Sequence, residues 1–165
     1  MENLYHTAFG VYGIIRKDGH LLVVKKTKGP YKNRYDLPGG SQAPGERIEE
    51  TLYREILEET NLKIDRFQQL GTVNFLFPWD YEKTNMNNHI GVFYLIDSFK
   101  GSVLNNTEQF EGQDSLGAVW LPIAKISESN SSPLVLKAKE YIIQEEFIQE
   151  SWRFDTWEVL DKPVY

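Results

Sequence analysis

Residues 37–62 of the chain read "LPGGSQAPGERIEETLYREILEETNL". Pro38-Gly39-Gly40 and Pro44-Gly45 break regular structure at the start of this stretch. From about Glu46–Ile48 to Thr60 the residues read as one helix. Glu46, Glu49 and Glu50 lie at its beginning, where the helix dipole favours acids, and Asn61 is placed to end it in a left-handed cap. Three further acids, Glu55, Glu58 and Glu59, crowd the opposite end, where negative charge is disfavoured. On a wheel of ~100° per residue with Glu55 at zero, Glu59 lies near ~40° and Glu58 near ~300°. Ile48, Leu52 and Ile56 fall at about 20°, 60° and 100°. The spacing therefore predicts that Glu59 points into the protein, between Ile48 and Leu52, where an uncompensated carboxylate is expensive.

Like charges three and four residues apart cost roughly 0.2–0.5 kcal/mol each. With the dipole the uncompensated total is about 1–2 kcal/mol. A divalent cation is the natural compensation, because Mg²⁺ takes oxygen ligands, keeps waters and shares its site with phosphates. Arg54, next to Glu55, is expected to reach back to Glu46 or Glu50 and hold the loop before the helix.

An acidic helix face taken alone reads as a solvated surface, but the spacing around this one is specific. Gly40, five residues, Glu46, seven residues, Arg54-Glu55-Ile56, one residue, Glu58-Glu59, two residues and Leu62 together resemble the Nudix box. Leu37-Pro38-Gly39-Gly40 resembles that family's lead-in. Asn61 stands where the family carries Gly, and Asn is the best substitute for Gly in a left-handed conformation. Tyr35 stands where many relatives carry Trp.

The resemblance implies an α/β fold, an α/β/α sandwich around a central mixed β-sheet. It implies metal-dependent hydrolysis of a nucleoside diphosphate linked to another moiety, with Mg²⁺ or Mn²⁺ as cofactor. The substrate class spans nucleoside triphosphates, ADP-ribose, nucleotide sugars and dinucleoside polyphosphates. By position, Glu58 and Glu59 are the main metal ligands, and Glu55 is a further ligand or orients the attacking water. The carbonyl of Gly40 completes the shell, and Arg54 and Glu46 support the geometry. The general base stays open among Glu55, Glu58 and the later acids Glu108, Glu111 and Asp114. Pro78, 16 residues past Leu62, lies near a proline found in some ADP-ribose hydrolases of the family.

Substrate contacts are expected from Lys26, Arg34 and Tyr35 before the box and from Phe77 and Trp79 after it. Lys25, Lys28, Phe75 and Tyr81 are weaker members of the same groups. The alternatives are a nucleotide-sensing module that keeps the fold, a diphosphate isomerase and a structural domain with an acidic helix. The intact acid set speaks against the sensor. The absence of cysteine speaks against an isomerase that uses a thiol for protonation.

The rest of the chain agrees. Its 165 residues suit one domain over 1–165, long enough to bury a sizeable core. A net charge of −6 argues against nucleic-acid polymers and anionic membranes, which favour basic faces. It leaves room for a small phosphorylated ligand, since a bound cation inverts the local field. Without cysteine there is no disulfide or thiolate site. No signal peptide is read and no apolar run approaches a membrane span, so a cytoplasmic monomer or homodimer is expected.

Residues 7–26 read as two strands around a turn at Asp18-Gly19. Further strands are expected near Gln69–Phe77, His89–Phe99 and Ala118–Leu121. Ser132-Pro133 reads as the start of a second helix running to Gln149, with Leu134, Ala138, Tyr141, Ile142 and Ile148 inward. The aromatic stretch 151–165 has three possible fates: packing on the domain, pairing with a sheet edge or reaching another subunit.

Overall fold

The computed structural model describes residues 1–103 and 114–165. The first element is β1 (Tyr5–Ile14), followed by the short β2 (Arg16–Lys17) and β3 (His20–Lys26). Asp18 and Gly19, at φ 50° and 74°, form the tight turn between β2 and β3, the two positive φ angles that such a hairpin requires. Two short strands, β4 (Tyr35–Asp36) and β5 (Gly39–Gly40), lead to the helix α1 (Ile48–Thr60). Then come β6 (Lys63–Tyr81), β7 (Thr84–Lys100), β8 (Ser115–Pro122), α2 (Pro133–Gln144) and β9 (Trp152–Arg153).

The strands form two sheets. The larger is mixed, in the order β5-β1-β7-β6-β9. Within it, β1 runs parallel to β7 and β9 parallel to β6, while β6–β7 and β1–β5 are antiparallel. In the smaller sheet β3 pairs with β2, β4 and β8, each antiparallel. The helices cover opposite sides. Leu52 and Ile56 of α1 enter one core with Val11, Ile15, Val92 and Ile96. Leu134 and Ala138 of α2 enter the other with Tyr12, Ile14, Phe75 and Phe93. The result is the α/β/α sandwich. No helix among the described residues is long and apolar enough to cross a membrane.

Both helix starts follow the sequence. Ser132 accepts the Val135 N–H at 3.3 Å, with Pro133 in the first turn. In α1, Glu50 accepts the Arg47 N–H at 2.8 Å, and Asn61 closes the helix at φ 66°. Two expectations need correction. β6 and β7 are far longer than their apolar centres, because their polar ends continue the same antiparallel ladder. The second helix stops at Gln144, where Glu145 takes a left-handed conformation (φ 56°) and caps the chain. Ile148 therefore lies outside the helix, and Phe147 fills the core position instead. The stretch 151–165 realises two of its three possible fates: β9 joins the sheet edge, and Phe154 and Trp157 pack on the core.

Candidate active site

The glycine turn and α1 are locked together. Gly39 has φ 147°, and a Cβ there would lie 2.1 Å from the Val11 carbonyl, so strand pairing with β1 demands glycine. A Cβ on Gly40 would fall 2.7–2.8 Å from the Glu55 carboxyl atoms. The Gly40 backbone and Glu55 therefore share one small space.

Arg54 ties the preceding loop to the helix. Its Nε donates to Glu46 at 2.5 Å and its Nη2 to Glu46 and to the Ser41 carbonyl, both at 3.0 Å. Nη1 donates to Glu55 at 2.8 Å and lies 3.5 Å from Glu58. Glu46 also accepts from the Thr51 hydroxyl at 2.7 Å and the Ala43 N–H at 3.0 Å. The Arg54 hydrogen bond, helped by Thr51 and Ala43, holds the Glu46 carboxyl down at about 2. Of the two reach-back partners expected for Arg54, the structure uses Glu46, and Glu50 turns to Arg47.

The three acids sit in three environments. The Glu58 side chain is 42% exposed and that of Glu55 16%. Glu59 is 6% exposed, on the inward side that the wheel indicates, and its carboxylate has no hydrogen-bond or ion-pair partner among the described residues. Burial drives its pKa well above the usual value; Lys26 opposes this, and Glu55, Asp114 and Asp36 reinforce it. Burial likewise raises Glu55, against the pull of Arg54.

Among the described residues no three acidic or histidine side chains already converge as a cation cage. Mg²⁺ does not require one, since it binds through one or two carboxylates and completes its shell with water and substrate phosphate. A buried, unpartnered carboxylate beside a second one that faces an open glycine backbone is a donor set of that kind. As oxygen donors, Glu55 and Glu59, with the exposed Glu58 on the same helix, have the chemistry that suits a divalent cation.

A cleft of about 500 Å³ is lined in part by Lys26, Asp36 and Asp114, whose charges act on Glu59, while the three acids themselves do not line it. Lys26, Asp36, Ser41 and Asp114 lie at the end coupled to Glu59, and Trp79, Tyr81 and His6 line another part of the wall. Lys26 bonds to Asp114 at 2.5 Å. Burial would lower its pKa, but Asp36, Asp114 and Glu59 outweigh this and raise it. The Trp79 and Tyr81 rings stack at 4.9 Å and 10°. On β7, Asn87 and His89 line the cleft. Asn87 is 1% exposed, and its amide makes no hydrogen bond among the described residues. His89 is held between two phenols, Tyr12 at Nε2 and Tyr31 at Nδ1, each at 2.8 Å. Burial, with Lys26 and His6, lowers its pKa to about 3, so the ring is neutral near pH 7.

The expected substrate residues divide. Lys26, Lys28, Trp79 and Tyr81 line the cleft. Arg34 does not: its guanidinium donates to the Glu128 and Glu158 carbonyls and lies 4.6 Å over the Trp157 ring, so it is committed to packing. Phe77, like Phe75, is wholly buried and has no free face for a ligand. Tyr35 lies 6.0 Å from Tyr165, away from the cleft. Asp114 lies in the cleft wall, whereas Glu108 and Glu111 fall outside the described residues. Sequence reading missed Tyr12, Tyr31, Asp36, Asn87 and His89. For the last two, strand alternation was the available signal, since Asn87 and His89 share one face of β7.

The family model of the NUDIX domain matches residues 4–146. The chain belongs to the NUDIX family. An ADP-ribose pyrophosphatase of Methanocaldococcus jannaschii is 47% identical over 57 residues, a match spanning 34% of either protein. An oxidized purine nucleoside triphosphate hydrolase of Danio rerio is 26% identical over 136 residues, covering 78% of this chain and 80% of the relative. The MutT NUDIX hydrolase of Burkholderia pseudomallei superposes with a TM-score of 0.64 at 22% identity, over 82% of this chain and 97% of its own. In this NUDIX chain the residues that follow the family match, 147–165, supply β9 and Trp157.

Proposed function

We propose that this NUDIX-family hydrolase splits the phosphoanhydride of a nucleoside diphosphate linked to a further moiety, with water as nucleophile. One observation carries the reading: Glu59 is buried next to Glu55, and it is coupled electrostatically to Lys26, Asp36 and Asp114, which line a cleft with aromatic rings in its wall. The relatives named as acting on ADP-ribose and on oxidized purine triphosphates support a nucleotide substrate.

Glu55, Glu58, Glu59 and the Gly40 carbonyl would hold a divalent cation, Mg²⁺ or Mn²⁺, which would neutralise phosphate charge and make a water more acidic. The chain's own residues do the rest. Arg54, charge-locked on Glu46, keeps the Gly40–Glu46 loop on the helix, so the ligand oxygens stay on a rigid element. Lys26 places a cation at the phosphate end of the cleft. Glu55 is either a further ligand or the group that orients the attacking water. Away from the phosphates, Trp79 offers a stacking face, and the unpaired Asn87 amide offers a donor and an acceptor to a base edge. Neutral His89 and its two phenols form an uncharged floor that fits a heteroaromatic ring better than a second phosphate.

The test is a screen of nucleoside triphosphates, nucleotide sugars, ADP-ribose and dinucleoside polyphosphates, with Mg²⁺ and with Mn²⁺ and with products identified by mass. Cleavage of at least one class is expected, dependent on the ion. No hydrolysis of any class with either ion would overturn the reading.

A further inference from the structure

The loop of residues 27–34, between β3 and β4, forms one wall of the cleft through Lys28, Gly29, Pro30 and Tyr31. Part of its bonding is to its surroundings, with the Thr27 N–H donating to the Asp114 carbonyl, the Asn33 N–H to the Lys26 carbonyl and the buried Tyr31 hydroxyl meeting His89 at 2.8 Å, and part is local. Lys32 N–H donates to Gly29 and Arg34 N–H to Tyr31, and Gly29 and Asn33 take positive φ angles of 76° and 67°. Much of its remaining bonding is to one other segment.

The C-terminal segment holds it. Its root is fixed on α2: the Lys137 ammonium, fully buried, donates to the Glu150 carbonyl and lies 5.4 and 4.9 Å from the Phe147 and Trp152 rings. β9 then pairs with Phe75 and Leu76, and the chain crosses to the loop. Trp157 packs against Phe77 and Tyr31 with centroids at 4.9 and 5.8 Å, and its Nε1 donates to the Pro30 carbonyl at 2.8 Å. The Glu158 carbonyl accepts from Arg34 and the Leu160 carbonyl from the Asn33 amide. Val164 N–H donates to the Asn33 carbonyl at 3.0 Å, and the Tyr165 hydroxyl to the Lys26 carbonyl at 2.6 Å. Trp157, Glu158, Leu160, Val164 and Tyr165 thus all bond to residues 26–34, whose wall faces the ligand. These five lie beyond the part of the chain that the family model matches.

We propose that residues 154–165 are a working part of the substrate cleft, with Trp157 and Tyr165 as positioning residues that hold the 27–34 loop so that Tyr31 and Lys28 meet the nucleotide. The reference to a nucleotide rests on the function proposed above; the grip on the loop does not. Neither residue touches the acids of α1. Loosening the segment therefore weakens substrate binding and leaves the chemical step nearly intact, the signature of lost binding that is uniform between ground and transition states.

The test compares wild type, Tyr165→Phe and a chain shortened after Trp157. The first variant deletes a single hydroxyl, the second leaves Trp157 in the core, and protection of α1 reports that each is folded. Deuterium exchange is read at residues 27–34 and in α1, and AMP binding in Mg²⁺ is followed by tryptophan fluorescence. Both are set beside kcat and KM for the nucleotide that the screen identifies. In the shortened chain, loop exchange is expected to quicken about tenfold while α1 stays unchanged. The AMP Kd and the KM rise about tenfold and kcat stays within about threefold. Tyr165→Phe moves the same quantities by a smaller factor at an unchanged Tm. Unaltered loop exchange, or an unaltered AMP Kd, in the shortened chain overturns the proposal. Exchange and AMP binding need no turnover, so they decide it even if no nucleotide is hydrolysed, an outcome that overturns only the hydrolase reading.

Discussion

Replacing Glu59 by Gln is expected to move stability and activity in opposite directions. The folded carboxyl titrates well above the usual 4.5, chiefly because it is buried. Between pH 4.5 and that raised value the folded protein keeps a proton that the unfolded chain has released. Stability is then fully present below pH 4.5 and falls as pH rises through the window, by up to about 1.4 kcal/mol per pH unit for one proton. The glutamine side chain carries no such proton. Urea unfolding in EDTA, followed by tryptophan fluorescence from pH 5 to pH 8, should show wild type losing ground to the variant as pH rises, at a slope of no more than about 1.4 kcal/mol per pH unit. Asp36 and Glu55, also raised, are present in both proteins and largely cancel in the difference. Mg²⁺ or Mn²⁺ should restore wild type, by about 2.7 kcal/mol at a hundred times its dissociation constant, and do little for the variant. Hydrolysis by the variant should fall at least ~100-fold. A wild-type-minus-variant difference that stays flat with pH, or a variant that retains turnover within tenfold, would refute the reasoning.

Gly40→Ala places a methyl where the Glu55 carboxyl now sits, 2.7–2.8 Å away; kcat is expected to drop about 10–100-fold with Tm shifted by only a few degrees, read by steady-state kinetics and calorimetry. His89→Gln tests the opposite proton linkage: the folded ring, at about 3 against the usual 6.5, refuses a proton that the unfolded chain accepts. Wild type is therefore destabilised as pH falls below 6.5, by up to about 1.4 kcal/mol per unit, and the variant should lack that slope in the same urea series. Between pH 4.5 and 6.5 the His89 and Glu59 slopes oppose each other, so each variant should uncover the other's. Asn87→Leu fills the same place without an amide; KM for a nucleotide is expected to rise about tenfold or more, and an unchanged KM would remove Asn87 from the base site.

The site was legible in the sequence where chemistry is local in the chain, and illegible where it depends on strand register. The helix wheel put Glu59 inward from spacing alone, and the 6% exposure follows from the same 3.6-residue period that buries Leu52 and Ile56. Arg54 and Glu46 are eight residues apart but joined by one loop and one helix, so their pairing was also within reach. Nothing local joins Tyr31 to His89, 58 residues on, or Asn33 to Leu160, 127 residues on. Arg34 shows the cost: a basic residue just before the box reads as a phosphate ligand until the fold lays Trp157 across it. Phe77 and Trp79 alternate on one strand and look equivalent, yet Trp157 packs on Phe77 while Trp79 remains in the cleft wall. The same segment that disqualified two expected ligands also closes the wall around the remaining ones. The family's motif lies in α1, and residues beyond 146 brace the loop that lines the cleft. If that division holds, exchanging the C-terminal segment for a relative's should alter which nucleotide is preferred and leave the ion requirement as it was.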